Sequence, residues 1–227
     1  MRLRRLALPV AALLLAGCGG PREHGSARLW ITRDRGSAVL YTARVPAGVT
    51  AMQALDRVAE VKTRYGGRFV ESIDGLRGSL GARRDWFYFV NGIEADRSAA
   101  EYRLSPGDVE WWDYRSWRNA LSRPVVIGAF PEPFLHGYDG HRRKTVVVAG
   151  PGTLAAARAI ARVVRGRIAP APRRDANAVL VTKGVRATIE KKPGADAPVV
   201  LAIAPRDALR LARDPKLVRF RYQGVPQ

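Results

Sequence analysis

The sequence predicts an α+β protein with two folded parts, a sheet-rich first domain and a smaller α/β second domain. The chain has 227 residues, of which 47% are hydrophobic, enough for one or two domains with their own cores. Short runs of β-branched and aromatic residues end at Asp-Gly, Asn-Gly and Pro-Gly pairs, which is typical of strands and turns. Residues 51–62 instead place apolar side chains at helical spacing.

Residues 1–17 have the composition of an export signal. The cationic start is followed by an apolar stretch, Leu6 to Leu15, much shorter than the roughly 20 residues of a membrane-spanning helix. Residues 15–18 read Leu-Ala-Gly-Cys and resemble a bacterial lipobox; the alternative is an ordinary signal peptide with a chance cysteine. The resemblance implies lipidation of Cys18, with residues 18–27 as a tether. We therefore expect an extracytoplasmic protein, lipid-anchored to a bacterial membrane, and a single cysteine excludes an internal disulfide framework.

Residues 28–118 have the element order of a β-grasp-like domain: a hairpin, a helix and further strands. Asp-Arg-Gly at 34–36 separates the two strands of the predicted hairpin. Thr50 and Gln53 form a possible capping box at the start of the helix over 51–62. The predicted strands of this domain are 29–32, 38–45, 69–73, 85–90 and 109–117.

Four segments of this domain carry a resemblance: PAGVTAMQALDRV, YGGRFVESIDGL, WFYFVNGIEAD and YRLSPGDVEWWDYRSW. They resemble the bacterial domain-of-unknown-function family related to the C-terminal domain of transcobalamin and intrinsic factor. The resemblance covers about residues 45–118. It implies a β-grasp module that in the vertebrate carriers forms one half of a cobalamin clamp, and hence binding without catalysis. The helical partner domain of those carriers has no counterpart in this sequence.

Two aromatic strands of the first domain are candidates for a ligand surface. A half-buried strand alternates apolar and polar residues, whereas these strands place aromatic side chains on both faces. One face can serve as a stacking platform for a flat ligand such as a corrin, nucleobase or sugar ring. In the alternative, the helix buries one face and the second domain the other, and Asn91 serves a hairpin turn. The candidate ligand-binding residues are Trp86, Tyr88, Asn91, Trp111, Trp112 and Tyr114.

After a connector over residues 119–143, residues 144–227 predict a small α/β sandwich with a mixed sheet, for which a ferredoxin-like arrangement is one possibility. A Gly-x-Gly turn at 150–152 resembles a phosphate-binding turn but lacks the third glycine, and a tight turn with Thr153 as the helix N-cap explains it. The predicted helices are 153–165 and 206–213, and the predicted strands are 145–149, 178–182, 185–191, 199–204 and 217–222.

The formal net charge of +19 is concentrated in the second half, where residues 124–227 hold 19 basic and 7 acidic side chains. Arginines at helical spacing predict two stripes that bind an anionic surface; the alternative is a pair of solvated helix faces. For a membrane-anchored protein, anionic lipid or cell-wall polymer is the expected partner rather than nucleic acid. The six candidate anion-binding residues are Arg158, Arg162, Arg165, Arg206, Arg210 and Arg213.

The sequence does not predict an enzyme. It lacks a Gly-x-Ser-x-Gly elbow and a paired-carboxylate signature, and it calls for no cofactor. His136, Asp139 and His141 form the one candidate metal cluster, where metal-dependent hydrolysis is the minority interpretation and a polar proline/glycine loop the favoured one. The favoured interpretation is an extracytoplasmic binding protein that captures a corrinoid, cobalamin-like or other ring-containing molecule for a membrane importer. The alternative is a basic module that docks on anionic lipid, cell-wall polymer or a partner membrane protein.

Overall fold

The computed structural model describes residues 25–192 and 197–227, so the export signal and Cys18 lie outside the described residues. The predicted α+β class is confirmed, and none of the helices in the described part is long and apolar enough to cross a membrane. Two 3₁₀ helices, Ile127–Ala129 and Pro215–Val218, accompany the regular elements. In chain order the strands and α-helices are β1 (Ser26–Arg33), β2 (Ala38–Pro46), α1 (Ala51–Asp56), β3 (Val61–Arg64), β4 (Phe69–Ile73), β5 (Leu76–Arg77), β6 (Arg84–Val90), β7 (Ile93–Glu94), β8 (Val109–Ser116), β9 (Thr145–Ala149), α2 (Leu154–Val163), β10 (Arg167–Ile168), β11 (Asn177–Val181), β12 (Thr188–Lys191), β13 (Val199–Ile203) and α3 (Pro205–Arg213).

The first sheet contains five strands in the order β2-β1-β8-β6-β7. Its central strands β1 and β8 are parallel, with Trp30 opposite Trp111, and all other neighbours are antiparallel. A central parallel pair made by the first and last strands, with an antiparallel hairpin on each side, is the arrangement of a β-grasp sheet. The strand order therefore agrees with the β-grasp-like topology expected from the sequence.

Helix α1 packs on one face of this sheet and is shorter than predicted. The predicted capping box forms, since the Gln53 N–H donates to Thr50 Oγ1 at 3.1 Å and the Thr50 N–H donates to Gln53 Oε1 at 3.0 Å. The helix ends at Asp56 instead of residue 62 because β3 then pairs with β4. The β-branched residues Val61 and Thr63 favour that strand, which forms a small sheet with β4 and β5.

The protein's own chain covers the other face of the first sheet. Trp30, Phe89 and Trp111 form one apolar cluster there with residues of the connector and of the C-terminal segment. Val126 and Ala129 supply the connector's part of this cover and are almost fully buried. Both faces of the aromatic strands are therefore packed.

The C-terminal segment does not close the second sheet, so the predicted strand at 217–222 is wrong. A 3₁₀ helix follows α3, and the chain then crosses to the first sheet. There Tyr222 Oη donates a 2.7 Å hydrogen bond to Asp113 Oδ2. The ring of Phe220 packs edge-on against Trp30, with 4.9 Å between ring centroids. Burial of these rings and the hydrogen bond to a buried carboxylate stabilise the crossing.

The second sheet is mixed, as predicted, with the order β10-β9-β11-β13-β12. Strands β10, β9, β11 and β13 are parallel, and only β12 runs antiparallel to its neighbour. The ferredoxin-like possibility is therefore wrong, because that fold has an antiparallel sheet. Helices α2 and α3 pack against each other on one face, where Ile160 and Leu211 join Val147, Val179 and Leu201 in the core.

The connector is ordered and partly buried, and a polar network attaches it to the first domain. Asn91 Nδ2 donates to Asp108 Oδ1 at 2.7 Å and to the carbonyl of Gly137 at 2.9 Å, while the Val109 N–H donates to Asn91 Oδ1 at 2.9 Å. Asn91 is fully buried and has a φ of 54°, a turn conformation that asparagine adopts more readily than most residues. Asn91 thus joins the turn after β6 to the connector.

Candidate functional site

The six predicted ligand-binding residues do not form a single platform. Because side chains alternate along a strand, Trp111 lies on the outer face of the first sheet, where it is fully buried. Asn91 lies in the buried turn described above. Of the six, only Tyr88 is more than slightly exposed to solvent. The face under α1 carries the remaining four, Trp86, Tyr88, Trp112 and Tyr114.

Tyr88 and Trp112 form a stacked pair beside a pocket of about 400 Å³. Their ring centroids are 4.8 Å apart and their planes differ by 19°. The pocket lies along the open edge of β6, because β7 pairs with β6 only at Phe89 and Val90. This cavity is termed the aromatic pocket, and its apolar lining includes Met52, Phe69, Val70 and Trp86.

Internal hydrogen bonds fix the aromatic side chains of the pocket. Tyr88 Oη donates to the carbonyl of Arg97 at 2.6 Å, and Trp86 Nε1 donates to the carbonyl of Leu76 at 2.8 Å. Burial raises the pKa of Tyr88 above its ordinary value, so its hydroxyl remains protonated and continues to donate. Because these polar tips already have partners, the pocket offers ring faces and edges to a ligand.

Charged groups of both signs surround the pocket. Arg68 and Arg97 contribute to its lining together with Glu94. Arg68 forms an ion pair with Glu101, and Arg97 Nη1 lies 2.9 Å from Asp139 Oδ2. An apolar interior with a few charged groups around it is the usual composition of a small-molecule site.

Several lining residues carried no distinguishing signal in the sequence. Met52 belongs to the apolar side of the predicted helix, and Phe69 is the first residue of a predicted strand. Phe69 reaches the pocket beside Tyr88 because the small sheet packs next to β6, whereas Met52 reaches it from α1. Arg68 and Arg97 are two among many arginines in the chain. Their shared location depends on tertiary contacts that no local spacing indicates.

The six predicted anion-binding arginines lie in separate places rather than in two parallel stripes. Arg162 and Arg213 line an apolar groove of about 390 Å³ between α2 and α3. Arg206 and Arg210 line another pocket, where Arg210 donates a hydrogen bond to the carbonyl of Pro226. The remaining two are Arg158, exposed on α2, and Arg165, beyond the end of that helix.

The candidate metal ligands do not come together. His136 Nδ1 lies 2.7 Å from Glu132 Oε2, and Asp139 is paired with Arg97. Asp139 and His141 both line a pocket between the connector and the second sheet, and His136 is not among its lining residues. Within residues 25–192 and 197–227, no group of three or more His, Cys, Asp or Glu side chains is placed to hold a metal ion.

The family comparison covers the first domain from just before α1 to the end of β8. Residues 48–116 match the family DUF4430, a domain of unknown function. The expected resemblance to a bacterial domain of unknown function is thus confirmed for this part of the chain. No curated protein sequence matches the chain.

Several solved structures are similar to part of the chain, and two of them illustrate the likeness. One is a candidate metal binding protein from Ruminococcus gnavus ATCC 29149, with 11% identity and a TM-score of 0.34, over 41% of this chain and 98% of that one. The other is haptocorrin in complex with Cbi, with 15% identity and a TM-score of 0.34. That likeness covers 44% of this chain and 27% of the haptocorrin chain.

Proposed function

We propose that the protein binds a small ring-containing molecule in the aromatic pocket. The observation that carries this proposal is the stacked pair of Tyr88 and Trp112 in the wall of a cavity of about 400 Å³. A cavity of that volume is within the range of roughly 300–1,000 Å³ that small-molecule sites occupy. Aromatic rings favour offset-stacked or edge-to-face contact with another ring, which suits a planar ligand.

The charged lining suggests which rings suit the pocket. Arg68 and Arg97 favour an anionic or hydrogen-bond-accepting substituent, whereas Glu94 favours a donor. The expected ligand is therefore a ring that carries an anionic or hydrogen-bond-accepting substituent for the two arginines and a hydrogen-bond donor for Glu94. A corrinoid is larger than the pocket and would insert only part of its periphery, so a compact heteroaromatic molecule fits better.

We further propose that binding takes place outside the cytoplasm, on a protein held at a membrane by lipid at Cys18, which passes its ligand to an importer. The support is the lipobox-like sequence at residues 15–18. Incorporation of labelled palmitate into the full chain in a bacterial host tests the anchor. Labelling should be lost in Cys18→Ser, and labelling that persists in this variant would reject the anchor.

Ligand binding is tested by titration of tryptophan fluorescence with the full chain in a non-ionic detergent. Cobinamide, cobalamin and a panel of compact heteroaromatic acids are the probes, with correction for their absorbance. Trp86 and Trp112 line the pocket, so an occupied pocket should change their emission in a saturable way.

A matched pair of variants locates the binding site. Phe69 in the pocket and Tyr41 on β2 are aromatic residues with similar exposure, 43% and 45%. Phe69→Ala should weaken binding by roughly threefold to tenfold, the size of one lost aromatic contact. Tyr41→Ala should leave the affinity unchanged. Absence of a saturable change with every probe, or equal losses in both variants, would refute the proposed pocket.

A further inference from the structure

A second pocket, of about 510 Å³, lies where β9 and β10 begin, far along the chain from the aromatic strands. Its wall includes Thr145, the first residue of β9, and Gly166, which immediately precedes β10. None of its lining residues is acidic. This cavity is termed the basic pocket. Its five basic lining residues are Arg142, Arg143, Lys144, Arg165 and Arg167.

The fold brings these residues together from two segments of the chain. Three of them immediately precede β9, and Arg165 and Arg167 flank Gly166 at the passage from α2 into β10. A Cβ at Gly166 would lie 3.1 Å from Val147 Cγ2 and 3.2 Å from the Thr145 carbonyl oxygen. The close approach therefore favours glycine at this position. Because Gly166 has no side chain, the turn lies against β9, and Arg165 and Arg167 border the same cavity as the basic residues that precede β9.

Arg165 adopts an uncommon backbone conformation at this turn. Its φ is 49°, in the left-handed region that a non-glycine residue rarely occupies. The conformation places an arginine, rather than the usual glycine, directly after the end of α2. Its side chain belongs to the basic pocket and not to the groove between α2 and α3.

Most of the positive charge at the pocket is not neutralised. Arg142, Lys144, Arg165 and Arg167 form no ion pair with an acidic side chain in the described part of the chain. Among the described residues, Asp175 is an acidic neighbour of Lys144: chiefly the hydrogen bond from Arg173, and to a smaller extent the charge of Lys144, lower the pKa of its carboxyl, and its Oδ1 is held 3.0 Å from Arg173 Nε. Four cations around one cavity repel one another, and an anion bound between them would relieve that repulsion.

The pocket wall also contains a polar group that lacks a partner. Thr145 is 5% exposed, and its hydroxyl oxygen has no hydrogen-bond partner among the described residues. A buried hydroxyl without a partner is unfavourable for folding. The Thr145 atoms that lie against Gly166 are its Cγ2 methyl and its carbonyl oxygen, so a ligand oxygen seated there accepts from the hydroxyl after rotation about χ1 exchanges the two branches of the side chain.

We propose that the basic pocket binds a phosphate-bearing anion with at least two negative charges. Arginine guanidinium groups match phosphate oxygens with two parallel N–H donors, and lysine adds a compact charge. The pocket's volume of about 510 Å³ accommodates a diphosphate or a phosphorylated small molecule rather than a lone ion. The phosphate comes either from a soluble compound or from a lipid head group. This site is independent of the aromatic pocket and of the function proposed for it.

Isothermal titration calorimetry of the full chain in a non-ionic detergent tests this site. Pyrophosphate and inorganic phosphate represent soluble phosphates, and bis(glycerophospho)glycerol, which carries two phosphodiester charges, represents the head group of a doubly charged phospholipid. Citrate, compared at equal ionic strength, is a carboxylate of similar charge. Tighter binding of pyrophosphate would assign a soluble ligand, and tighter binding of bis(glycerophospho)glycerol would assign a lipid head group.

A matched pair of double variants distinguishes the pocket from the overall charge. Lys144→Gln with Arg167→Gln removes two pocket cations and should weaken binding about tenfold or more. Arg186→Gln with Lys183→Gln removes one exposed arginine and one exposed lysine outside the pocket and should leave the affinity within about twofold. Melting curves of both variants should match the parent, which separates lost binding from lost folding.

Thr145→Val provides a second measurement. It should weaken phosphate binding by about threefold to tenfold, because the hydroxyl donor is gone. Its melting temperature without phosphate should not fall, because a buried hydroxyl without a partner is removed. The proposal is overturned if no phosphate probe binds at low-millimolar concentration, if citrate binds as tightly, or if both double variants lose affinity equally.

Discussion

Glu110 provides the sharpest test of the energetics in the first domain. The residue lies on the central strand β8 and is fully buried. Its Oε1 accepts a 2.6 Å hydrogen bond from Trp112 Nε1, whereas its Oε2 has no partner among the described residues. Burial, and to a smaller extent the negative charge of Asp108, raise the pKa of Glu110 well above its ordinary value of 4.5.

The sign of the effect follows from the linkage between proton binding and folding. Below its ordinary pKa, Glu110 is neutral in both states and has no pH-dependent effect. As the pH rises above 4.5, the unfolded chain releases the proton while the folded protein retains it, so the free energy of unfolding decreases. Each pH unit in this range lowers it by about 1.4 kcal/mol.

Glu110→Gln keeps the size of the side chain and an oxygen for Trp112, but cannot ionise. We therefore expect it to stabilise the protein at pH 7, by about 3.5 kcal/mol at most, the limit set by the interval between pH 7 and the ordinary pKa of 4.5. The advantage should shrink as the pH falls and vanish below about pH 4. Urea unfolding followed by tryptophan emission at several pH values measures this difference.

Glu71→Gln is a control with the opposite expected sign. The hydrogen bond from Arg64 lowers the pKa of Glu71, so its carboxylate contributes stability above its ordinary pKa of 4.5 and loses it as the pH falls through the folded-state pKa. Glu71→Gln should therefore destabilise the protein at neutral pH and match it in acid. A Glu110→Gln difference that is independent of pH, or that grows in acid, would refute the account of Glu110.

Two further predictions concern the attachment of the C-terminal segment to the first sheet, and both are measured by urea unfolding. Tyr222→Phe removes the donor to buried Asp113 and should lower the free energy of unfolding by about 1.5–3 kcal/mol, whereas an unchanged unfolding midpoint would contradict the role of this bond. Gly36→Ala places a Cβ 1.7 Å from the Phe220 carbonyl oxygen and should cost about 3 kcal/mol or more. Gly66→Ala has a similar positive φ of 66° but no atom within 4 Å of the added Cβ, so it should cost only about 1 kcal/mol; equal losses in the two glycine variants would exclude the contact with Phe220.

Local sequence patterns predicted much of the first domain because turn residues and β-branched runs act over short distances. The capping box of Thr50 and Gln53 and the turn at Asn91 are set within a few residues. The end of α1 was not predictable in the same way, because the pairing of β3 with β4 overrides the helical spacing of Val58 and Ala59. A local preference for helix is overridden where the segment can pair with a neighbouring strand.

The candidate site was only partly predictable for a related reason. Alternation along β8 places Trp111 and Trp112 on opposite faces, but the sequence does not say what covers each face. The outer face is covered partly by the connector, through Val126 and Ala129, and partly by residues more than a hundred positions away, such as Tyr222 against Asp113. Phe69 reaches the aromatic pocket through tertiary packing, which leaves no periodic trace in the sequence.

The return of the C-terminal segment to the first sheet limits the modularity of the protein. A fragment that stopped after α3 would leave Trp30, Phe89 and Trp111 without part of their cover and open to self-association. The family match from 48 to 116 also omits β1, the parallel neighbour of β8. We therefore expect that the segment recognised by the family match does not fold on its own, and that transplanting it into another chain would require β1 and the segment around Phe220 and Tyr222 as well.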